Sequence, residues 1–383
     1  MTTKYIATPN DVKHDTSVVY EGPNPIKWLF EEGDVGCQAF LTPGRYPPPG
    51  ITRNMRPALL RGINGSAHPL TAEASKDGVV TIHRTGGGDT LGFTYPDTHR
   101  DIVFEGIQIE AGYRSAIMYL MNAHQHVGQD EDFENHTFLN CWINGGWDHQ
   151  ARTGYQSKWG VLGNRASGFL WRGGGVENIC WEHAFYLHNS GSLGVSIHGA
   201  LIQNCGRTAV QCTARINENN GRPSTGRLHL LDTEIKNVCL GDGGSAITIS
   251  GQQGRTLIER TKVSFDDPTH GGTGAIVIWP EYEEGNPNKP GTPNGDVLVV
   301  GSEFLMPADK GDRSLVKISA VERLYSKGST YTAGRNPVAV DLNPIGRNNG
   351  SMASDRFPVK AYHDGGGNEI SGRLMLGSTW MNP

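Results

Sequence analysis

Residues 176–212 read VENICWEHAFYLHNSGSLGVSIHGALIQNCGRTAVQC, and they carry the strongest indication of the fold. It holds two copies of one phrase, in which an Asn in a turn is followed by a small residue and alternating apolar side chains. Asn178 leads to Ala184-Phe185-Tyr186-Leu187, and Asn204 leads to Ala209-Val210-Gln211-Cys212. The two copies indicate a repeated structural unit.

The phrase recurs on both sides of this stretch. Asn144 precedes Gly160-Val161-Leu162, and Asn237 precedes Ala246-Ile247-Thr248-Ile249. The second half of the phrase begins at residues 160, 184 and 209, a spacing of 24 and then 25 residues, and it continues less regularly at 246, 275, 315 and 339. A unit of this length cannot bury its apolar face alone, so the copies must stack on one another.

Each unit consists of strands rather than helices. Side chains in Ala246-Ile247-Thr248-Ile249-Ser250 alternate as they do on a strand, and a second strand-like run precedes each Asn. About three short strands per turn of the chain predict an all-β protein, a single right-handed parallel β-helix over residues 35–345. Residues 1–34 are predicted to form an N-terminal extension or cap, and residues 346–383 a C-terminal tail or cap.

The repeated Asn has a physical role in such a stack. Asn tolerates left-handed backbone geometry, and its amide can donate to one neighbouring coil while accepting from the other. The sequence therefore predicts a hydrogen-bonded ladder of Asn144, Asn178, Asn204 and Asn237.

Composition excludes several classes of protein. The chain has 383 residues, 52 Gly and a net charge of −5, which gives no general attraction to nucleic acid or to an anionic membrane. No segment is long and apolar enough for a transmembrane span. The six Cys show neither a disulfide pattern nor a zinc pattern. Cys180 and Cys205 each lie four residues before a repeated Ala, which predicts that they stack as inward-facing fillers.

Two phrases carry a resemblance to a known family. Residues 37–46 read as a strand followed by a Pro-Gly-Arg-Tyr turn, and residues 182–190 contain Glu-His-Ala-Phe-Tyr. Both resemble right-handed parallel β-helix proteins of the pectate-lyase-like superfamily, over roughly residues 35–345 and at the level of the fold repeat. The resemblance implies a carbohydrate-active protein with a saccharide groove on one turn and the strand that follows it.

Candidate site residues follow from that groove and from one insertion. If Ala184 begins the third strand of its coil, Tyr186 and His188 project outward near its end, with Gln211 beside them. Arg172 and Arg215 are predicted to neutralise an acidic sugar, and His188 or Tyr186 to act as base or acid. Predicted substrate-binding residues are Lys158, His149, His198, Gln211, Arg165, His229, Trp147 and Trp279, of which Trp147, His149 and Lys158 lie in the insertion 145–158.

The predicted activity is cleavage of a uronate-containing polysaccharide by β-elimination. A glycoside hydrolase is the first alternative, with Asp148, Glu182, Asp232 and Glu234 as candidate carboxylates. A non-catalytic saccharide-binding or tailspike-like virion fibre protein is the second, although the sequence shows no clear apolar strip along one face of the coil. No cofactor is predicted, and only a calcium ion is left open.

The remaining predictions concern location and partners. The chain begins Met-Thr-Thr-Lys without a secretory signal. An extracellular or periplasmic protein whose leader is absent from this sequence is expected, with virion and cytoplasm as alternatives. The expected partner is the polysaccharide itself, with no nucleic acid and no membrane. A monomer is expected, or a trimer if the protein belongs to a virion.

Overall fold

The structure is a computed structural model, and it confirms the predicted all-β class and the parallel β-helix. It describes residues 2–52, 56–84, 86–94, 101–120, 133–151, 153–154, 157–188, 191–213, 225–241, 244–266, 273–280, 293–307, 309–310, 313–336, 338–342, 359–376 and 379–381. Three long sheets run the length of this part of the chain. Each coil contributes one strand to each sheet, as in Phe169–Arg172, Gly175–Ile179 and Phe185–His188.

Within the described residues, the three sheets have the following strands. Sheet A contains Ser17–Glu21, Asp11–His14, Lys4–Ala7, Gln38–Leu41, Leu59–Asn64, Val103–Glu105, Thr137–Leu139, Phe169–Arg172, Val195–His198, Leu228–Leu231, Thr256–Glu259, Val297–Val300, Arg323–Lys327 and Ala361–Asp364, with Ser66–Pro69 beside Leu59–Asn64. Sheet B contains Gly44–Tyr46, Val80–Ile82, Gln108–Glu110, Trp142–Asn144, Gly175–Ile179, Leu201–Cys205, Glu234–Val238, Lys262–Ser264, Glu303–Leu305, Thr330–Thr332 and Glu369–Ser371. Sheet C contains Gly50–Thr52, Leu91–Thr94, Ser115–Leu120, Trp159–Asn164, Phe185–His188, Val210–Thr213, Ser245–Ser250, Gly274–Trp279, Val316–Ile318, Val338–Leu342, Arg373–Leu376 and Thr379–Met381.

A few short elements lie outside these sheets. Phe133–Glu134 pairs with Ala166–Ser167, and Trp147–Asp148 pairs with Thr153–Gly154. The described helices are Pro25–Glu31 and Ala72–Lys76. Neither is long and apolar enough to cross a membrane.

The core lies inside the coil, where alternate side chains of the three sheets meet. Trp171 is fully buried, and its ring lies 5.2 Å from that of Phe138 on the preceding coil and 5.4 Å from that of Phe185 on sheet C. Stacking on adjacent coils and contact across the coil axis therefore involve the same side chain. Burial of such rings is the main stabilising term of the solenoid.

Three members of the predicted Asn ladder, Asn144, Asn178 and Asn204, are confirmed as hydrogen-bonded neighbours at the corner between sheets B and C. The Asn178 amide donates to Asn144 Oδ1 at 3.3 Å, and the Asn204 amide donates to Asn178 Oδ1 at 3.4 Å. Asn178, Asn204 and Asn237 have φ values of 60°, 54° and 46°, the left-handed geometry that Asn tolerates. Asn237 is bonded instead to Asp266 on the next coil, whose backbone N donates to Asn237 Oδ1 at 2.9 Å, and no hydrogen bond among the described residues joins it to Asn204.

Both ends of the chain add strands to the same sheets. Lys4–Ala7 pairs in parallel with Gln38–Leu41, and the helix Pro25–Glu31 buries Ile26, Leu29 and Phe30. Beyond residue 345, Ala361–Asp364, Glu369–Ser371 and Arg373–Leu376 each extend one of the three sheets. The coil therefore continues past the predicted C-terminal boundary.

All six Cys are free thiols, and one stacking prediction is wrong. Cys205 is buried but is paired in register with Ile179, not with Cys180. In the earlier coil, residues 180–184 separate the sheet B strand from the sheet C strand. In the next coil, residues 206–209 do so, and this corner is one residue shorter. Cys180 consequently falls outside its strand, half-buried in the corner.

Candidate active site

The outer face of sheet C carries a row of side chains in register on successive coils. Tyr186 is paired with Gln211, Gln211 with Thr248, and Thr248 with Val277. These positions alternate with core residues such as Phe185 and therefore point away from the coil axis. The predicted neighbours Tyr186 and Gln211 are confirmed as adjacent.

A second row lies where the chain turns from sheet B into sheet C. His183, Thr208 and Ser245 come directly before Ala184, Ala209 and Ala246, the repeated small residue of each coil. The backbone N of Ala184 donates to Thr208 O at 3.2 Å, which links the first two of these corners. Polar side chains are thus held one above another beside the sheet C row.

A cleft of about 250 Å³ lies between these two rows, and we call it the sheet C cleft. Its cationic side chains are Arg207 and Arg313, and Trp279 supplies an aromatic ring. None of its described lining residues is Asp or Glu. Its lining consists of His183, Arg207, Thr208, Gln211, Cys239, Gly244, Ser245, Thr248, Val277, Trp279 and Arg313.

Glu182 connects two of the cleft side chains. Its Oε2 lies 3.0 Å from Arg207 Nη1 and 3.4 Å from His183 Nε2. Glu182 therefore joins an arginine and a histidine of the cleft lining. Arg313 differs from Arg207, since no carboxylate of the described residues pairs with it.

Tyr186 and His188, the predicted acid and base, lie next to each other beside the cleft. Their ring centroids are 3.9 Å apart, and the Tyr186 ring also lies 4.7 Å from that of His183. All three rings are buried, with 5% of His183, 8% of Tyr186 and 7% of His188 exposed. His188 Nδ1 lies 3.1 Å from Thr213 Oγ1, so one ring nitrogen is already hydrogen-bonded within the protein.

Arg165 and Trp279 lie on opposite sides of His188 along the coil axis. Arg165 is 2% exposed, with a φ of 56°, and its backbone N donates to His188 O at 2.9 Å. Its guanidinium is therefore part of the protein interior at the corner after sheet C. Trp279 lies in the His188 register, through Thr213 and Ser250, and lines the cleft.

Arg172, His198 and His229 lie on sheet A, away from Tyr186 and His188. Arg172 is paired in register with His198, whose ring lies 4.9 Å from that of His229. Burial, then the neighbouring His229 and Arg172, lower the pKa of His198. Burial also lowers the pKa of His229, although Glu259, 3.7 Å from its Nε2, opposes that shift. The predicted single groove is therefore divided between two faces of the coil.

The predicted residues of the insertion lie at the corner between sheets B and C. Trp147 begins a short strand that pairs with Thr153–Gly154, and its ring lies 5.8 Å from that of His149. The exposed Lys158 has its Nζ 5.8 Å from the centroid of the Trp159 ring. This corner is at the start of the sheet C strands, whereas His188 is at the end of one. Arg215 lies outside the described residues.

The candidate carboxylates of the hydrolase alternative are dispersed. Asp232 binds Arg260 through both oxygens, at 2.7 and 3.1 Å, and Glu234 lies 2.8 Å from Lys236 Nζ. Asp148 accepts the backbone N–H groups of Gln150 and Ala151 in its own turn. In the part of the chain that the structure describes, no three His, Cys, Asp or Glu side chains are grouped closely enough to hold a metal ion.

Among the charged and aromatic residues of the cleft, the sequence predicted Trp279 but missed His183, Arg207 and Arg313. A signal was present for the first two, because His183 directly precedes a repeated Ala and Arg207 lies two residues before the next. No comparable signal marks Arg313, which reaches the cleft from a later coil.

Comparison with known proteins adds no relative to this description. No protein-family model matches the chain, and neither a curated protein nor a solved structure matches it.

Proposed function

We propose that the protein binds an acidic polysaccharide in the sheet C cleft and cleaves it by β-elimination. The observation that carries the proposal is the cleft lining, which combines two arginines, one histidine and one tryptophan and has no acidic side chain among its described residues. Such a surface favours a ligand that carries carboxylates and sugar rings.

Arg313 and Arg207 have different parts in binding. Arg313, without an acidic partner among the described residues, is available to bind a uronate carboxylate through two parallel hydrogen bonds. Arg207 adds positive charge but is held by Glu182 at 3.0 Å. Trp279 offers a flat apolar surface to a sugar ring. The cleft extends over several coils about 4.8 Å apart, which suits a segment of a linear polymer.

The reaction needs three changes at the sugar. Neutralising the carboxylate acidifies the hydrogen on the adjacent carbon, and the His183 imidazole removes that proton. The electron pair of the broken C–H bond forms a carbon–carbon double bond as the glycosidic C–O bond breaks. The departing oxygen then takes a proton from solvent in the open cleft. Glu182 stabilises the protonated His183, and the Tyr186 ring packs against it.

The cleft supports elimination better than hydrolysis. Hydrolysis by paired carboxylates needs two acidic side chains facing the substrate, roughly 5 to 10 Å apart. The described lining of the cleft contains none, and Asp148, Asp232 and Glu234 are bonded elsewhere. The fold and the Glu-His-Ala-Phe-Tyr phrase add support for a member of the pectate-lyase-like superfamily. Because uronate polymers are extracellular materials, the proposal extends to an extracellular or periplasmic site of action.

A polysaccharide panel tests this proposal. The protein is incubated with pectate, alginate, hyaluronan, chondroitin, xylan and chitosan, and ultraviolet absorbance of unsaturated uronates is followed together with reducing ends. Both signals should rise on at least one acidic polymer and on neither xylan nor chitosan. A rise in reducing ends without a rise in absorbance would show hydrolysis. No rise in either signal would show a binding or structural role.

Variants locate the activity within the cleft. His183→Ala should lower kcat by a factor of about 10² to 10⁴, the usual contribution of a positioned base. His149→Ala, at the corner before sheet C, is the matched control and should keep full activity if the base is His183. Loss of activity in the control alone would move the site to the insertion.

A further inference from the structure

The outer face of sheet A carries apolar side chains on most of its coils. Each strand has two outward-pointing positions, and each position forms a row along the sheet. The first row runs in register from Leu59 to Tyr325 and includes Val103, Leu170, Leu257 and Leu298, all half-buried. The second outward row adds Leu139, Leu231 and Val300. The sequence does not show this strip clearly, because the aliphatic residues come from coils of unequal length.

The strip is of the size that a subunit interface requires. Nine strands separated by about 4.8 Å span about 38 Å, and four residues of each strand cover about 13 Å across. The flat footprint is therefore on the order of 500 Å², and the relief of the side chains adds to it. A standard interface buries about 800 Å² per partner, which is the same order.

The two histidines within the strip have polar atoms without a partner. The Nε2 atoms of His198 and His229 are buried, and neither accepts or donates a hydrogen bond. Glu259, at 3.7 Å from His229 Nε2, is too far away for one. Buried polar atoms in this state are costly, and a second molecule packed on the face reaches them only if the imidazole rings rotate.

We propose that two copies of the chain pack antiparallel through the outer face of sheet A. The two-fold axis lies parallel to the strands, between Val195–His198 and Leu228–Leu231. This axis reverses the order of the coils but keeps each outward row opposite itself. Which residues face each other is then fixed by counting coils from the axis.

The charged residues of the second row are complementary under this operation. Arg172, two coils from the axis on one side, faces Glu259 of the second copy, two coils away on the other side. Leu139 faces Val300, and Glu105 faces Lys327. Both carboxylates already have a cation in their own chain, Arg260 beside Glu259 and Arg61 at 2.7 Å from Glu105, so in each case the second copy adds a cation to an existing pair.

The first row agrees with the same axis. Ser196 faces the His229 ring of the second copy, and Leu170 faces Leu257. A two-fold axis along the coil direction would instead place the first row against the second, with Leu170 opposite Arg172. Of these two arrangements, the antiparallel one places opposite charges against each other, so charge complementarity selects it. The sheet C cleft lies on another face and stays open.

Sedimentation velocity of the full chain tests the arrangement, with charge reversals at the paired positions. Wild type should be a dimer at micromolar concentration. Arg172→Glu and Glu259→Arg should each raise the dissociation constant by roughly tenfold or more, because like charges then face each other. The double variant R172E/E259R should restore the dimer, since each reversed charge meets its reversed partner.

Controls separate the interface from general charge effects. Lys262→Glu, on sheet B beside Glu303 at 3.5 Å, should leave the dimer unchanged. A circular dichroism melt confirms that each variant is folded, and Arg172 is exposed, so its reversal leaves the core intact. A wild-type monomer, a trimer, or a double variant that stays monomeric would each overturn the proposal.

Discussion

The outer faces of sheets A and C are built on the same coils yet differ in shape and charge. Inward residues of both sheets meet in one core, where Trp171 of sheet A contacts Phe185 of sheet C. Outward, sheet A is a strip of aliphatic side chains with charges of both signs, whereas sheet C borders a cleft with Arg207 and Arg313. The inward alternation therefore specifies the fold, while the outward positions are free to carry separate functions.

The largest expected effect comes from a change that both faces share. Trp171→Ala should lower the free energy of unfolding by about 3 to 5 kcal/mol, because it removes a fully buried indole and leaves a cavity between Phe138 and Phe185. Urea unfolding followed by circular dichroism measures this loss. Selective damage to one face, with unchanged overall stability, would show that the two sheets do not share a core.

A change in the cleft should alter ligand binding, while a matched change near sheet A should not. Arg313→Ala should weaken binding of an acidic oligosaccharide by about 1.5 to 3 kcal/mol, the contribution of hydrogen bonds to a charged group. Isothermal titration measures the affinity. The matched control is Arg260→Ala, whose guanidinium is held by Asp232 near sheet A, and it should bind as wild type does. Equal losses in both variants would point to a general charge effect.

The corner between sheets B and C allows a smaller and sharper test. Asn178→Ala should lower the free energy of unfolding by about 1 to 3 kcal/mol, because it removes two ladder bonds and leaves a left-handed residue without the Asn amide. Asn178→Gly keeps the left-handed geometry at low cost, so its free energy of unfolding should fall by less than that of Asn178→Ala. If both variants lose the same free energy of unfolding, backbone geometry contributes nothing at this corner.

The last prediction concerns the pH dependence of stability that the two His residues of sheet A contribute. His198 and His229 have a lower pKa in the folded chain because they are partly buried, so the unfolded chain binds more protons as pH falls below about 6.5. Their contribution to stability is present above that pH and is lost as the pH falls towards the folded pKa values. Urea unfolding at a series of pH values should show this decline in wild type.

The variant that isolates these two groups is H198Q/H229Q. It should have a flatter stability profile in the acidic range, since neither replacement titrates. A profile identical to that of wild type would mean that other groups cause the decline.

The fold could be predicted from the sequence because its signals are local and repeated. Each predicted Asn lies in the same short phrase, and Asn178, Asn204 and Asn237 have the left-handed geometry that Asn tolerates. The chain ends were less predictable, since Ala361–Asp364 continues sheet A without a clear copy of the phrase. The Cys180 prediction failed because corner length varies by one residue, and a count along the chain cannot detect that variation.

The candidate site could be predicted only in part. Tyr186, Gln211 and Trp279 lie on the same sheet as the cleft, because alternation within a strand fixes which side chains point outward. Arg172 and His198 were expected in the same groove but lie on sheet A, because a corner turns the chain between them and Tyr186. Arg313 was missed for the same reason: proximity across coils depends on where each corner places the next strand.

The most direct test of the proposed cleft is a binding comparison between an acidic oligouronate and the same oligosaccharide with its carboxyl groups reduced to alcohols. Isothermal titration should show binding of the acidic form, at least tenfold weaker binding of the reduced form, and a loss of this preference in Arg313→Ala. Equal affinity for both forms, or a preference that survives Arg313→Ala, would contradict the assignment of the sheet C cleft as a site for acidic polysaccharide.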